Sequence, residues 1–234
     1  REDPRLLAQI ERALGDAQTV LNVGAGAGSY EPRDRQVLAV EPSSVMVAQR
    51  PASSFPAVRA TADSLPFHTR SFDAAMTVLS LHHWHPDQEA GVSEMCRLAR
   101  DRVVIVTIDP RPSGRMWLMR DYLHEVLELD HEIFPLPEEI CEWLGGSSRI
   151  EVVPIPRDTP DWTLLSYWAH PHRVLDPGAR AATSGFARQS DEVVERVVTD
   201  LRRDLENGTW HERNSGLANL DAYDCGLRLI VAVR

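Results

Sequence analysis

The chain has 234 residues, 43% of them hydrophobic and 26% charged, with a formal net charge of −10. That length buries a full core in one domain, or in a domain carrying an inserted lobe. The acidic balance argues against nucleic-acid partners, because affinity for phosphate backbones rests on basic patches that release counterions.

All 25 basic side chains are arginine, a bias that a GC-rich genome explains without any mechanism. Cys96, Cys141 and Cys225 are widely spaced and odd in number, which predicts buried reduced thiols rather than a zinc site or a redox pair. No apolar run reaches the roughly 18 residues of a membrane span, and no basic leader with an apolar core opens the chain. A cytoplasmic protein without a membrane partner is expected.

In chain order, Asp3-Pro4-Arg5-Leu6-Leu7 predicts a helix over 4–14, with proline in the favoured first turn. Thr19 to Val23 is a β-branched apolar run that breaks into Gly24-Ala25-Gly26-Ala27-Gly28. Such a run reads as a strand entering a tight turn, where missing side chains let the backbone approach a ligand. Val37-Leu-Ala-Val-Glu41 repeats the pattern and ends in one carboxylate, placed to accept hydrogen bonds from ribose hydroxyls at a neighbouring strand tip. Further strands are predicted over 57–60, 72–79 and 102–108, with helices over 43–49 and 87–99.

Beyond Asp109-Pro110-Arg111-Pro112 the strand and helix rhythm changes. Helices are predicted over 115–129 and 137–145, a sixth strand over 149–155, helices over 177–188 and 190–206, and a last strand over 226–233. The expected fold is α/β: a Rossmann-like, seven-stranded, mostly parallel sheet flanked by helices, with an α-helical cap inserted before the last strand. The domains are then 1–156 with 226–234 for the sheet, and 157–225 for the insertion, which is longer than an ordinary loop.

The nucleotide fingerprint of dinucleotide oxidoreductases is G-x-G-x-x-G, with a helix starting at the pyrophosphate. Here the third glycine falls one position early. The glycine turn and Glu41 are followed by Pro42-Ser43-Ser44-Val45-Met46, then Ala62-Asp63-Ser64-Leu65-Pro66-Phe67, Ser71-Phe72-Asp73 and Leu81-His82-His83-Trp84. In order and spacing, roughly residues 18 to 108 resemble the class I S-adenosylmethionine (AdoMet) dependent methyltransferases. The resemblance is to the small-molecule branch that includes the ubiquinone and menaquinone C-methyltransferases.

That resemblance implies AdoMet as cofactor, S-adenosylhomocysteine as its product, and a small molecule as acceptor. It implies backbone contact of Gly24, Ala25 and Gly26 with the methionine part, near Gly28. Glu41 would take both ribose hydroxyls, Pro42 and Met46 would flank ribose and adenine, and Ala62 and Asp63 would face the adenine edge. Many relatives carry an aspartate before that alanine, where this chain has Thr61, so the side chain that reads the adenine amino group stays open. Tyr30 either covers the methionine carboxylate or is a packed loop aromatic. A stretch preceding Arg1 that helps close the site is also expected by resemblance.

His82, His83 and His85 follow the fourth strand, where the family places residues near the transferred methyl. Consecutive side chains point different ways and no carboxylate completes a ligand set, so no metal is expected. His82 and His83 are the candidates for contacting the acceptor. Asp73 is expected to bond turn amides, a structural role. Eight of the ten Trp and Tyr residues lie after position 115, and they form either a small second core or a cap over the acceptor. On the cap reading Tyr167 and Trp168, in a stretch with Trp162, touch the substrate; Trp84, after the fourth strand, is a further substrate candidate. A nicotinamide oxidoreductase and a catalytically silent binding protein on the same fold are the alternatives.

Overall fold

A computed structural model describes residues 2–234. In chain order its elements are α1 (Pro4–Leu14), β1 (Thr19–Val23), β2 (Gln36–Val40), α2 (Ser44–Ala48), β3 (Ala57–Val58), β4 (Phe72–Val78), α3 (Gln88–Leu98) and β5 (Ala99–Ile108). There follow α4 (Pro110–Ser113), α5 (Trp117–Asp121), α6 (His124–Ile133), α7 (Pro137–Leu144), β6 (Ser147–Val152) and β7 (Ile155–Pro156). Last come α8 (Pro177–Ala181), α9 (Ser184–Ala187), α10 (Asp191–Glu206), α11 (Thr209–Arg213), β8 (Ala222–Tyr223) and β9 (Leu227–Val233).

These elements form two compact units: one of Glu2–Asp109, Ile133–Val153 and Arg228–Arg234, the other of Pro110–Glu132 and Pro154–Leu227. The first holds a seven-stranded sheet of order β3-β2-β1-β4-β5-β9-β6. β1 pairs in parallel with β2 and β4, β2 with β3, and β4 with β5, while β6 runs antiparallel to β9. This is the expected Rossmann-like layout, with β9 joining the sheet between β5 and β6.

Sequence pattern explains most of these elements. In α1, Asp3 caps the first turn by accepting from the Arg5 amide at 2.9 Å, Pro4 occupies the first position, and Gly15 ends the helix at φ +57°. Its buried residues Leu6, Ile10, Ala13 and Leu14 recur at helical spacing. On one face of the sheet Leu21, Val23, Ala75, Val103 and Ile105 pack with Val92, Met95 and Leu98 of α3 and with Ile140 and Leu144 of α7. Parallel strands buried on both faces read as continuous apolar runs, as β5 does. The predicted strand over 149–155 stops at Val152, and Pro154 precedes the short β7, because proline cannot donate to a ladder.

The second unit has its own aromatic core. The Trp117 indole donates to the Trp168 carbonyl at 3.0 Å, and its ring meets Tyr122 and Trp210 edge-on at 5.9 and 5.3 Å. These contacts are why residues 110–132 cluster with 154–227, whereas the sequence reading kept them with the sheet. The predicted 115–129 helix is broken at Tyr122, whose buried hydroxyl donates to Asp204 at 2.9 Å. The predicted 177–188 helix is broken at Thr183, whose hydroxyl lies 3.0 Å from the Tyr167 hydroxyl in a buried hydrogen bond. In both cases a tertiary hydrogen bond overrides helix propensity.

Burial pushes the Asp130 carboxyl up to about 7, against a partial opposing pull from Arg188. A raised acid pKa means the fold favours the protonated form. The native state is therefore undisturbed below the ordinary aspartate range near 3.8 and loses stability as pH rises from there through about 7. Asp130→Asn is expected to raise Tm by several degrees at pH 8 and to leave it unchanged below about pH 4. Thermal scans of both forms across that range check it, and equal melting at pH 8 would refute the assignment.

Candidate functional site

The site begins where β1 ends. The amides of Gly24 and Ala25 both donate to the Val40 carbonyl, at 2.9 and 3.0 Å, which turns the chain sharply against the end of β2. Gly24 has φ +70°, and a β-carbon there would stand 2.2 Å from the Ser80 hydroxyl oxygen. Close approach of the end of β4 is therefore one reason for glycine at this position. Gly26 has φ +52°, and its amide donates to a Glu41 carboxylate oxygen at 2.8 Å. The other Glu41 oxygen accepts from the Ser43 amide at 2.9 Å. Glu41 is only 7% exposed.

A cavity of about 220 Å³ opens beside these strand ends, lined by Val23, Gly24 and Pro42, by Ala60 to Asp63, and by His83, Trp84, His85 and Asp87. Gly24, Pro42, Ala62, Asp63 and His83, all among the expected site residues, line this one cavity. Met46 sits at the edge of the turn, its methyl 3.4 Å from where a Gly26 β-carbon would lie. Asp63 is exposed and Ala62 buried, so the one carboxylate of that segment faces the cavity beside Thr61. The cavity residues Thr61, His85 and Asp87 were outside the expected site residues.

β4 ends in a turn that aims the histidine segment. Leu79 takes φ +51°, an uncommon conformation for a branched residue, and Leu81–Trp84 then form one 3-10 turn. The Trp84 indole wedges against Gly91 of α3, where a β-carbon would come within 2.6 Å of the ring. Trp84, expected to touch the acceptor, lines the same cavity as Pro42, Ala62, Asp63 and His83. His83 is exposed at that cavity, while His82 stacks between His83 and Phe134 with ring centroids 3.9 and 4.5 Å apart.

Four other expected residues are placed elsewhere. Tyr30 is 3% exposed, its hydroxyl accepts from the Asp3 amide at 3.0 Å and its own amide donates to Glu2 at 2.8 Å, so it is a packed loop aromatic. Tyr167 and Trp168 are fully buried within the second unit. The Tyr167 hydroxyl donates to the Ala179 carbonyl at 3.0 Å and lies 3.0 Å from the Thr183 hydroxyl, while Trp168 packs on Tyr223 and under the Arg157 guanidinium. Neither ring offers surface to a substrate. The second-core reading accounts for both. Gly28 lines a different recess of about 350 Å³, beside Glu31 and Phe55.

Asp73 has the structural role expected of it: one oxygen accepts from the Gln18 and Thr19 amides and the Thr19 hydroxyl, the other from Arg100. Among the described residues no group of three or more His, Cys, Asp or Glu is arranged to hold a metal ion. The three cysteines are free thiols, and burial raises the thiols of Cys225 and Cys96 above their ordinary range. No helix among the described residues is long and apolar enough to cross a membrane.

This sheet order is that of the class I methyltransferase fold. Residues 21–107 match the family model described as a methyltransferase domain. A crystal structure of a candidate methyltransferase from an antibiotic biosynthesis pathway of Anabaena variabilis is similar over 98% of this chain and 97% of its own, with 29% identity and a TM-score of 0.89. A phosphoethanolamine N-methyltransferase from Haemonchus contortus, in complex with phosphomonomethylethanolamine and S-adenosylhomocysteine, has a TM-score of 0.59 at 16% identity. That likeness covers 98% of this chain and 52% of the other, and it speaks for the fold alone. No curated protein matches the chain.

Gly24→Ala is expected to destabilise the fold by about 2 kcal/mol or more, since the added methyl meets Ser80 in a conformation that already disfavours it. Gly24→Ala combined with Ser80→Gly removes the clash but keeps the φ strain, and should recover part of the loss. Denaturant melts of the three chains check this. Equal stability of Gly24→Ala and the parent would refute the packing account.

Proposed function

We propose that the chain transfers a methyl group from AdoMet to a small, partly apolar or aromatic acceptor. The observation that carries this reading is the Glu41 carboxylate, almost wholly buried between two strand ends beside the cavity. A carboxylate has about four lone-pair sites. The Gly26 and Ser43 amides use one on each oxygen, so acceptor capacity remains for a ribose diol. Pro42, Ala62 and Trp84 supply the apolar walls an adenine ring needs, and Asp63 supplies an acceptor for its amino group.

AdoMet, when bound, supplies a sulfonium methyl open to in-line attack. The task left to the protein is to hold both partners at near-attack distance with water excluded, a contribution of up to about 7 to 11 kcal/mol. Gly24, Ala25 and Gly26 present backbone to the methionine part, while Met46 and Pro42 flank the nucleoside. His83, exposed at the cavity, is the group placed to take a proton from a hydroxyl or acidic carbon, and His82, stacked behind it on Phe134, orients it.

The acceptor class rests on several supports. The charge of −10 opposes nucleic acids, the motif order from Glu41 to Trp84 resembles the enzymes that methylate quinones, and the Anabaena neighbour is described in an antibiotic pathway. We place the reaction in the cytoplasm.

Calorimetric titration with S-adenosylhomocysteine and with NADH decides the cofactor: binding of the first alone is expected, and binding of NADH alone would overturn the reading. Glu41→Ala should weaken S-adenosylhomocysteine by about ten- to a hundred-fold, because a charged acceptor for two hydroxyls is lost. Isotope-labelled AdoMet in a cell extract, followed by mass spectrometry of labelled small molecules, then identifies the acceptor.

A further inference from the structure

Behind the glycine turn lies a buried ion pair that the methyl-transfer reading does not use. One Arg50 nitrogen, Nη2, donates to both oxygens of Glu31 at 2.8 Å, and the two side chains are 5% and 4% exposed. The same nitrogen reaches the Phe55 carbonyl at 3.2 Å. The other terminal nitrogen, Nη1, donates to the carbonyl of Gly26 at 3.2 Å. Glu31 also accepts from the Asn22 side chain in β1 at 3.1 Å.

Gly26 is thereby held from both sides. Its amide, part of the peptide shared with Ala25, is fixed by Glu41. Its carbonyl, part of the peptide shared with Ala27, is fixed by Arg50. A glycine at φ +52° has no side chain to resist rotation of these two planes. Buried ion pairs are a poor source of net stability, because desolvation offsets much of the attraction. Their best-supported use is to specify one arrangement.

We infer that Arg50, anchored by Glu31 and Asn22, is a positioning residue that sets the Gly26 peptide planes for AdoMet. This rests on the cofactor reading above. The guanidinium fork matters because a single group must reach a carboxylate and two carbonyls at once, which a lysine ammonium on its flexible stem cannot match. Arg50 touches neither the acceptor nor the reacting methyl in this account. Its effect falls on cofactor affinity.

Three variants test this by S-adenosylhomocysteine titration and thermal melting on the full chain. Arg50→Lys keeps the charge pair and should weaken binding by about ten-fold, the scale of one lost charge-assisted hydrogen bond. Arg50→Met alone strands the Glu31 charge and should lower Tm sharply. Arg50→Met with Glu31→Gln removes both charges and leaves Asn22 an acceptor, so Tm should recover while affinity stays at least about ten-fold reduced. With AdoMet turnover, KM should rise and kcat stay near the parent value. If the double variant folds and binds like the parent, the clamp is only structural and the inference is overturned. If the parent chain itself fails to bind S-adenosylhomocysteine, the cofactor reading falls, and the clamp with it.

Discussion

The carboxylate of Glu41 joins two strand ends that share no stretch of sequence, and the candidate site of the sheet unit is arranged around that junction. Parallel register brings Val23 opposite Val40, so the glycine turn leaves β1 at the level where β2 delivers Glu41. The carboxylate then accepts from Gly26 on one side and Ser43 on the other. Ser43 in turn caps α2 by accepting from the Met46 amide. One buried acid thus sets the turn, the start of the next helix and the place of Met46. Losing it would leave two part-buried amides without their acceptor, each costing at most about 1 to 3 kcal/mol.

The second unit is organised by a different interaction, the packing of large rings tied together by hydrogen bonds, although the indole N–H groups of Trp168 and Trp210 are buried without a partner among the described residues. Trp117, Tyr122, Tyr167 and Trp168 are all buried, and each places an N–H, an O–H or a carbonyl on another part of the unit. These bonds link segments far apart in sequence, such as Trp117 with Trp168 and Tyr122 with Asp204. A hydrogen bond of this kind is worth about 1 kcal/mol net, but leaving the buried group unpaired costs more, so the pairings select one arrangement of short helices.

Legibility follows from the range of the forces involved. The strands and α1 are readable because apolar runs, caps and glycine stops are local signals, as in Asp3-Pro4 and Gly15. Glu41, Pro42, Ala62 and Asp63 are readable because each sits at a strand end or in a short motif beside one. The breaks at Tyr122 and Thr183 are not, since both residues hydrogen-bond to side chains distant in sequence. For the same reason Tyr167 and Trp168 read equally well as a core or as a substrate surface: composition gives ring content but not direction. Arg50 and Glu31 carry no motif. Their partnership depends on α2 ending beside the glycine turn, and the only local trace is a pair of opposite charges flanking the two strand-end signatures.

Gly26 is held by protein groups at both of its peptide planes, and this bears on how binding energy is used. A loop that must be ordered on binding loses that ordering cost from the affinity. Here the peptide planes are already fixed by Glu41 and Arg50, and the strained turn at Leu79 already aims the histidine segment. Strain stored at Leu79 persists only because the surrounding packing, with Trp84 seated against Gly91, over-determines it. The residues proposed to contact the cofactor therefore sit on rigid elements, with side chains that hold other side chains in place. Side chains at the cavity rim, such as Thr61, His85 and Asp87, take no part in that scaffold, so exchange there can alter recognition while the Glu41 junction stays intact.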